Sequence, residues 1–218
     1  MMVYIMKNIV FIYLFLVSSS VVFAKNNLAL LVHGEAKPNY THYYTNLNDG
    51  IRALAGWNVE IFSGGGSASN DPFFPDLYPR EIGETKPVFL NFPRNRHPAT
   101  QSALRSILQE NLAELTEDAP ILLYFTGHGN ISENGSYIYL FNEYLTVNDL
   151  RSLLDLIDTK HPVIVIHDQC FGGGMLQSLW NEDGIFRPNS SGFAASEATE
   201  YSFASSGSFW SYTEKGRL

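Results

Sequence analysis

The stretch Pro162-Val-Ile-Val-Ile-His-Asp-Gln-Cys170-Phe-Gly-Gly-Gly174 decides how the rest of the chain is interpreted. An apolar run of strand length ends in polar residues and then in three glycines, a pattern typical of a buried strand that turns sharply into a helix. Cys170 is the only cysteine of the chain, so no second thiol is present to form an internal disulfide bond. The glycine-rich turn favours a reactive thiol over an inert core cysteine.

Two earlier apolar runs end in a similar way. Ile121-Leu-Leu-Tyr-Phe-Thr-Gly-His-Gly129 ends in histidine and glycine, and Leu28-Ala-Leu-Leu-Val32 is followed by His33-Gly34-Glu35. The run Leu28–Val32 is followed by a helical spacing of apolar residues over 47–54 and then by an alternating pattern over 57–62. These patterns make a βαβ unit and predict a mostly parallel sheet. Because parallel strands present their carboxyl ends at one edge, we expect the three polar ends to gather there.

Further elements are predicted from local signals. Thr100 is expected to begin a helix that runs to about Leu115, and Thr146 to Asp149 resembles a capping box at the start of another helix. Asn134-Gly135 predicts a hairpin turn. A short helix is expected over Met175 to Trp180 and a short strand over Phe193 to Ser196. The segment 63–97, rich in Gly, Pro, Asn and Ser, is interpreted as a surface excursion.

The amino terminus has the pattern of an export signal. Lys7 supplies a positive charge, Ile9 to Val17 is an apolar stretch too short to span a bilayer, and Val22-Phe-Ala24 fits the rule for cleavage between small residues. We therefore predict a signal peptide over 1–24, cleavage after Ala24, and a secreted or periplasmic protein that is not inserted in the membrane. One domain is expected over 25–218. A transmembrane anchor is the alternative for this segment.

The charge balance restricts the class of partner. The chain has 14 Lys and Arg against 22 Asp and Glu, with a formal net charge of −8. No cluster of basic residues is available to neutralise phosphates, so a nucleic-acid partner is not expected. The histidines are scattered without the spacing of metal ligands, and we expect neither a metal nor an organic cofactor.

The chemistry that these residues predict is nucleophilic catalysis. A Cys170 thiolate would attack a carbonyl carbon, and His128, at the end of an equivalent strand, would accept and return the proton. The amides of Gly129 and Cys170 are the expected donors to the oxyanion that forms. A histidine that merely caps the sheet edge is the alternative for His128. His33 is expected to be a loop residue without a catalytic role, and His167, which alternates with the core-facing residues, to be a structural residue.

Together these blocks resemble the caspase-like cysteine peptidases, a group that includes caspases, metacaspases, legumains and gingipains. Tyr124-Phe-Thr-Gly-His-Gly129 is similar to the metacaspase version of the histidine block, and His167-Asp-Gln-Cys-Phe-Gly172 is similar to the cysteine block. The order of the two blocks, with one helix between them, also matches. The resemblance implies a three-layer α/β/α sandwich, a cysteine–histidine dyad and cleavage of peptide or protein substrates.

The resemblance also implies a substrate pocket. Asp168 falls where the family has an acidic residue facing the side chain that precedes the cut bond, and Glu35 could add to it. Ser196 lies in the segment Ala194 to Ser202, which looks like the wall of that pocket. A carboxylate at position 168 predicts a preference for Lys or Arg. A preference for Asn, as in legumain-like relatives, is the alternative.

The chain departs from the family pattern at two places. Phe171-Gly-Gly-Gly174 follows the cysteine where relatives have Ser-Gly or Arg-Gly, and relatives continue beyond the position of Leu218, so the predicted domain is short at its carboxyl end. Two other functions therefore stay open. One is an inactive relative that binds peptides or partners, and the other is an exported amidase or esterase with the same dyad. An α/β-hydrolase is not favoured, because the sequence contains no Gly-x-Ser-x-Gly motif.

Overall fold

The computed structural model describes residues 27–34, 47, 50–51, 53–65 and 96–202. The main sheet of this part of the chain has six strands: β1 (Leu28–His33), β2 (Asn58–Ser63), β3 (Arg96–His97), β4 (Ile121–Thr126), β8 (Val163–Asp168) and β9 (Ser190–Ala194). Their order is β3-β2-β1-β4-β8-β9, and every neighbouring pair is parallel. The prediction of an α/β protein with a mostly parallel sheet is confirmed.

A smaller antiparallel sheet and several helices complete the described structure. The small sheet has three strands, which pair in chain order. Its strands are β5 (Gly129–Ser132), β6 (Gly135–Tyr139) and β7 (Tyr144–Thr146); the helices are α1 (Gln101–Leu112), α2 (Val147–Leu154), α3 (Gly172–Met175) and a 3-10 helix (Leu176–Leu179). The hairpin predicted at Asn134-Gly135 joins β5 to β6. Residues 47, 50, 51 and 53 are helical, as the spacing over 47–54 predicts.

Both predicted helix starts are confirmed by side-chain caps. The Thr100 hydroxyl accepts a hydrogen bond from the Ala103 amide at the start of α1. Thr146 and Asp149 form a full capping box at the start of α2, with each side chain bonded to the backbone of the other residue. An aspartate replaces the usual Glu or Gln in this box and still reaches the Thr146 amide at 2.9 Å.

The main sheet is buried on both faces, which explains its nearly continuous apolar strands. All six residues of β1 and all six of β4 are buried. One core cluster joins alternate residues of these strands to α1 and α2, for example Leu30 and Leu123 to Leu104 and Leu150. The opposite set of strand residues packs with Leu47 and Leu54 in a second cluster.

Some predicted boundaries are wrong, and each error has a local cause. The histidine strand ends at Thr126, not at His128, because Gly127 has a φ of +135° that breaks the extended conformation. The cysteine strand ends at Asp168, and Cys170 lies two residues beyond it. The helix expected from Met175 begins earlier, at Gly172, and becomes a 3-10 helix from Leu176 to Leu179.

The two edge strands were the hardest to predict. The last strand runs over Ser190–Ala194, not over 193–196, because its Ser-Ser-Gly start has no apolar residue to signal a strand. The end of the predicted surface excursion forms β3, since Arg96–His97 pairs with Ile61 and Phe62 of β2. Edge strands are covered on fewer sides, so their sequences carry a weaker apolar pattern. Residues 66–95 of the excursion lie outside the described residues.

Candidate active site

The carboxyl ends of three central strands lie side by side. The register pairs His33 of β1 with Thr126 of β4, and Thr126 with Asp168 of β8. The polar residues that follow these positions therefore start from one edge of the sheet, where parallel α/β proteins commonly bind their ligands. Glu35, predicted at the same edge, lies outside the described residues.

The chain segments that carry His128 and Cys170 are in contact. A Cβ atom added to Gly129 would overlap the carbonyl oxygen of Cys170 and would also meet Cγ of Gln169. Only glycine allows this approach of the two backbones. His128, which precedes Gly129, is half-buried with a buried Nε2 atom. The structure thus brings together the two sequence blocks from which a cysteine–histidine pair is predicted.

Cys170 lies in a tight turn with a half-buried thiol. Its Sγ atom is 3.8 Å from the carbonyl oxygen of Ser202 and 3.6 Å from the Ser202 hydroxyl. The next residue, Phe171, has a φ of +58°, in the left-handed region that non-glycine residues seldom adopt. Backbone strain of this kind often accompanies functional sites, because the surrounding structure must hold it in place. Because the thiol is half-buried and contacts the polar atoms of Ser202, it is not enclosed among aliphatic side chains.

The segment 196–202 holds the nucleophile turn in place. The Phe171 amide donates to the carbonyl of Glu200 at 2.8 Å, and the Gly173 amide donates to the carbonyl of Ser196 at 2.9 Å. The Tyr201 ring packs edge-on against the Phe171 ring, with centroids 4.8 Å apart. We call residues 196–202 the strap. It lies beside Cys170, and much of its polar backbone is used to hold the turn.

Ser196, predicted to contact substrate, is hydrogen-bonded to this same turn. Its hydroxyl donates to the carbonyl of Gln169 at 3.1 Å and accepts from the Gly172 amide at 3.2 Å. One side chain thus ties the residue before Cys170 to the second residue after it. The structure assigns Ser196 a bracing contact, and the prediction that it contacts substrate stays a prediction.

The expected oxyanion donors differ in how the fold uses them. Tyr139 donates its amide to the carbonyl of His128 at 3.0 Å, which makes Gly129 and Ile138 a non-hydrogen-bonded pair of the antiparallel ladder. The ladder therefore does not use the Gly129 amide. In the nucleophile turn, the amides of Phe171, Gly172 and Gly173 donate hydrogen bonds to acceptors in the strap. The Cys170 amide is not among these donors.

The three glycines after the cysteine, which depart from the family pattern, are explained by close packing. A Cβ at Gly172 would meet the backbone of β8, and one at Gly173 would meet the strap backbone at 2.9 Å. A Cβ at Gly174 would overlap the hydroxyl of Ser136 in β6. Helix α3 thus lies against three separate parts of the fold, and side chains at these positions would push it away.

Asp168 has a partner that sequence analysis missed. The hydroxyl of Tyr124, a fully buried residue of β4, donates to Oδ2 of Asp168 at 2.7 Å. Asp168 itself is half-buried. The available signal was the tyrosine within an otherwise aliphatic strand, because a buried phenol needs a hydrogen-bond partner.

Two further histidines, His167 and His33, are buried in the described part of the fold. His167 is fully buried, with its ring stacked on Phe125 and its Nδ1 atom 2.9 Å from the side-chain Nε2 atom of Gln169. Burial lowers the pKa of His167 to about 3, and the hydrogen bond with Gln169 opposes this shift. The prediction that His33 lies in a loop is wrong, because His33 ends β1 and is buried. Its ring lies near Gly127, beside the loop that carries His128.

In the described residues, no group of three or more His, Cys, Asp or Glu side chains is arranged to hold a metal ion. None of the helices in that part of the chain is long and apolar enough to cross a bilayer. The predicted signal peptide lies outside the described residues. No model of a known protein family matches this chain, and no curated protein matches it.

Proposed function

We propose that this protein is an exported cysteine endopeptidase with a caspase-like α/β/α sandwich, in which Cys170 is the nucleophile and His128 its acid–base partner. The contact between the Gly129 backbone and the Cys170 carbonyl is the observation that carries the proposal. It supports a shared site because the two chemically distinctive blocks of the sequence need not have met at all.

The dyad would act through a covalent thioester. His128 accepts the thiol proton, and the Cys170 thiolate attacks the carbonyl carbon of the scissile peptide bond. The tetrahedral intermediate collapses when the amine leaves with the proton held by His128. Water then attacks the thioester, His128 accepts a proton from that water, and the acid product departs as the thiol re-forms.

The Gly129 and Cys170 amides would stabilise the oxyanion. Both belong to the backbone segments that meet at the site, and the described ladder and strap hydrogen bonds leave them out. Backbone donors of this kind contribute about 2.7–4 kcal/mol each to the transition state. No metal or organic cofactor takes part in this reaction scheme.

The substrate would be a peptide or protein with a basic residue before the cut bond. Asp168 supports this preference, because its carboxylate lies two residues before the nucleophile and is half-buried. A carboxylate pairs with an ammonium or guanidinium group through charge-assisted hydrogen bonds. Glu35 and Ser196 are proposed to add contacts around the same side chain.

Labelling with a peptidyl chloromethyl ketone tests the dyad directly, because Cys170 is the only thiol in the chain. We expect the wild-type protein to be labelled at Cys170 and His128→Ala to lose at least about 100-fold in labelling rate, the usual size of an acid–base contribution. The matched control is His161→Gln, because that imidazole lies 3.0 Å from the Ala119 carbonyl and not in the site. Peptide cleavage should fall in parallel with labelling.

Two results would contradict the proposal in different ways. If the peptidyl reagent labels wild type and His128→Ala equally, His128 is not the partner of the thiol, and an inactive peptide-binding relative is favoured. The contact of Sγ with Ser202 is compatible with that alternative. If His128-dependent labelling occurs but only simple esters or amides are hydrolysed, the protein is an amidase or esterase with the same dyad.

A further inference from the structure

We propose that Tyr124 is a positioning residue that holds the Asp168 carboxylate as a fixed anionic group, so that the site next to Cys170 selects ligands with an ammonium or guanidinium group. The inference rests on the proposed function for its substrate, a peptide with a basic side chain. The charge selectivity itself can be measured whether or not the protein cleaves peptides.

The geometry of the neighbouring strands explains how the phenol reaches the carboxylate. Thr126 pairs with Asp168 and Tyr124 pairs with Ile166, so Tyr124 and Asp168 lie on the same face of the sheet, one step apart along it. The Tyr124 ring is fully buried in the cluster that contains Leu31 and Leu122. Its hydroxyl lies at the polar end of this cluster and donates to Oδ2 of Asp168 at 2.7 Å.

This hydrogen bond has consequences for charge and for position. A hydroxyl that donates to a carboxylate stabilises its ionised form, because protonated Asp168 would be a weaker acceptor. The buried ring cannot change rotamer without disturbing close-packed neighbours, so the carboxylate is anchored to the core of the sheet.

A purely structural explanation predicts something different. A buried phenol needs an acceptor, and Asp168 could serve only to satisfy it. In that case, replacing either residue would change the free energy of unfolding but would not change which charged molecules reach the thiol. A measurement of charge selectivity separates the two explanations.

The single thiol makes that measurement direct. We would compare the rates at which Cys170 reacts with the cationic reagent aminoethyl methanethiosulfonate and with its anionic sulfonatoethyl analogue, after normalising each to a free thiol. We expect the wild-type protein to favour the cation. Asp168→Asn should lower the cation-to-anion ratio by about fivefold at low salt, as a single charge within several ångströms does near a protein surface.

Tyr124→Phe should lower the same ratio by about twofold, because the carboxylate keeps its charge but loses its fixed position. The matched control is Tyr137→Phe, which removes a phenol hydroxyl that lies 3.5 Å from the Tyr139 hydroxyl on the small sheet. This control should retain the wild-type ratio. An unchanged ratio in Asp168→Asn would overturn the inference, and so would a lowered ratio in Asp168→Asn with an unchanged one in Tyr124→Phe.

Peptide kinetics give the second test. For substrates with Arg before the cut bond, Tyr124→Phe should raise KM by about twofold, because the carboxylate keeps its charge but loses its fixed position, with little change in kcat. Substrates with a neutral residue there should be cleaved as by wild type. An equal loss for both substrates would overturn the inference. If wild type cleaves no peptide, the proposed function fails, and the reagent ratios alone decide whether Tyr124 positions Asp168.

Discussion

The two turns that carry the candidate dyad are held in different ways. The histidine turn, 127–129, is stabilised by its own neighbourhood: Gly127 has a φ of +135°, and the hairpin that follows donates the Tyr139 amide to the His128 carbonyl. The cysteine turn, 169–174, is held by the strap, which comes more than twenty residues later in the sequence. Its first residue, Gln169, is buried and is hydrogen-bonded through its side chain to the buried His167.

This difference indicates that the two turns should fail under different perturbations. The histidine turn is determined by local backbone conformation, so substitutions within it should act through steric overlap. The cysteine turn depends on long-range contacts and on a neutral buried imidazole, so it should respond to pH and to changes in the strap. Three predictions test this comparison, beginning with the largest expected effect.

The largest effect is expected where the two turns meet. Gly129→Ala would place a Cβ on the Cys170 carbonyl, and backbone atoms cannot move away as a side chain can. We expect a loss of about 3 kcal/mol or more in the free energy of unfolding and loss of any activity that depends on Cys170. Urea denaturation and thiol labelling measure the two effects.

Gly135→Ala is the control for Gly129→Ala. A Cβ at Gly135 meets nothing within 4 Å, but the residue has a φ of +99°, so only left-handed strain remains. That strain costs roughly 1–2 kcal/mol. Equal destabilisation by the two variants would mean that the contact between the turns is not as close as described.

Acid should weaken the cysteine turn through His167. Its pKa is lowered from 6.5 to about 3 by burial, so the unfolded chain binds a proton at pH values where the folded protein does not. The contribution of His167 to the free energy of unfolding is therefore fully present above about pH 6.5 and decreases as the pH falls towards 3. At pH 4 the expected loss is about 3 kcal/mol, at about 1.4 kcal/mol for each pH unit.

Replacing the imidazole tests this origin of the acid sensitivity. His167→Phe should flatten the decrease in stability between pH 6.5 and 4 in urea denaturation curves. Phe125→Leu removes the ring on which the imidazole stacks but keeps the titrating group, so it should retain the decrease. A decrease of equal size in His167→Phe would assign the acid sensitivity to other groups.

The smallest effect is expected in the strap. Ser196→Ala removes one hydroxyl that donates to the Gln169 carbonyl and accepts from the Gly172 amide. We expect a loss of about 1–2 kcal/mol in the free energy of unfolding, the usual cost of leaving such groups without a partner. Ser190→Ala, whose hydroxyl bonds to the Pro188 carbonyl on the surface, should cost less. Unchanged stability with a raised KM would instead favour a substrate contact for Ser196.

How well each element was predicted follows from the range of the interactions that form it. The capping box at Thr146 and the Asn134-Gly135 turn depend on residues a few positions apart, and both were predicted. The strands β1 and β4 were predicted because burial on both faces leaves a continuous apolar run. The strand β9 was misplaced because its pairing with β8 comes from the sheet and not from its own Ser-Ser-Gly sequence.

The candidate site shows the same division. Cys170 and His128 stand out in the sequence because a lone thiol and a His-Gly pair end apolar runs. The link between Tyr124 and Asp168 could not be predicted, because it depends on the register of two strands. The bracing contact of Ser196 likewise depends on where the strap crosses the cysteine turn.

The sequence by itself determined the apolar strands, the helix caps, the hairpin and the residue types available for chemistry, because each of these depends on neighbours along the chain. Only the tertiary structure decided which turns are in contact, which carboxylate accepts the hydrogen bond of the buried phenol and which imidazole is kept neutral by burial. Those outcomes depend on strand order and register, which arise from the packing of segments distant in sequence.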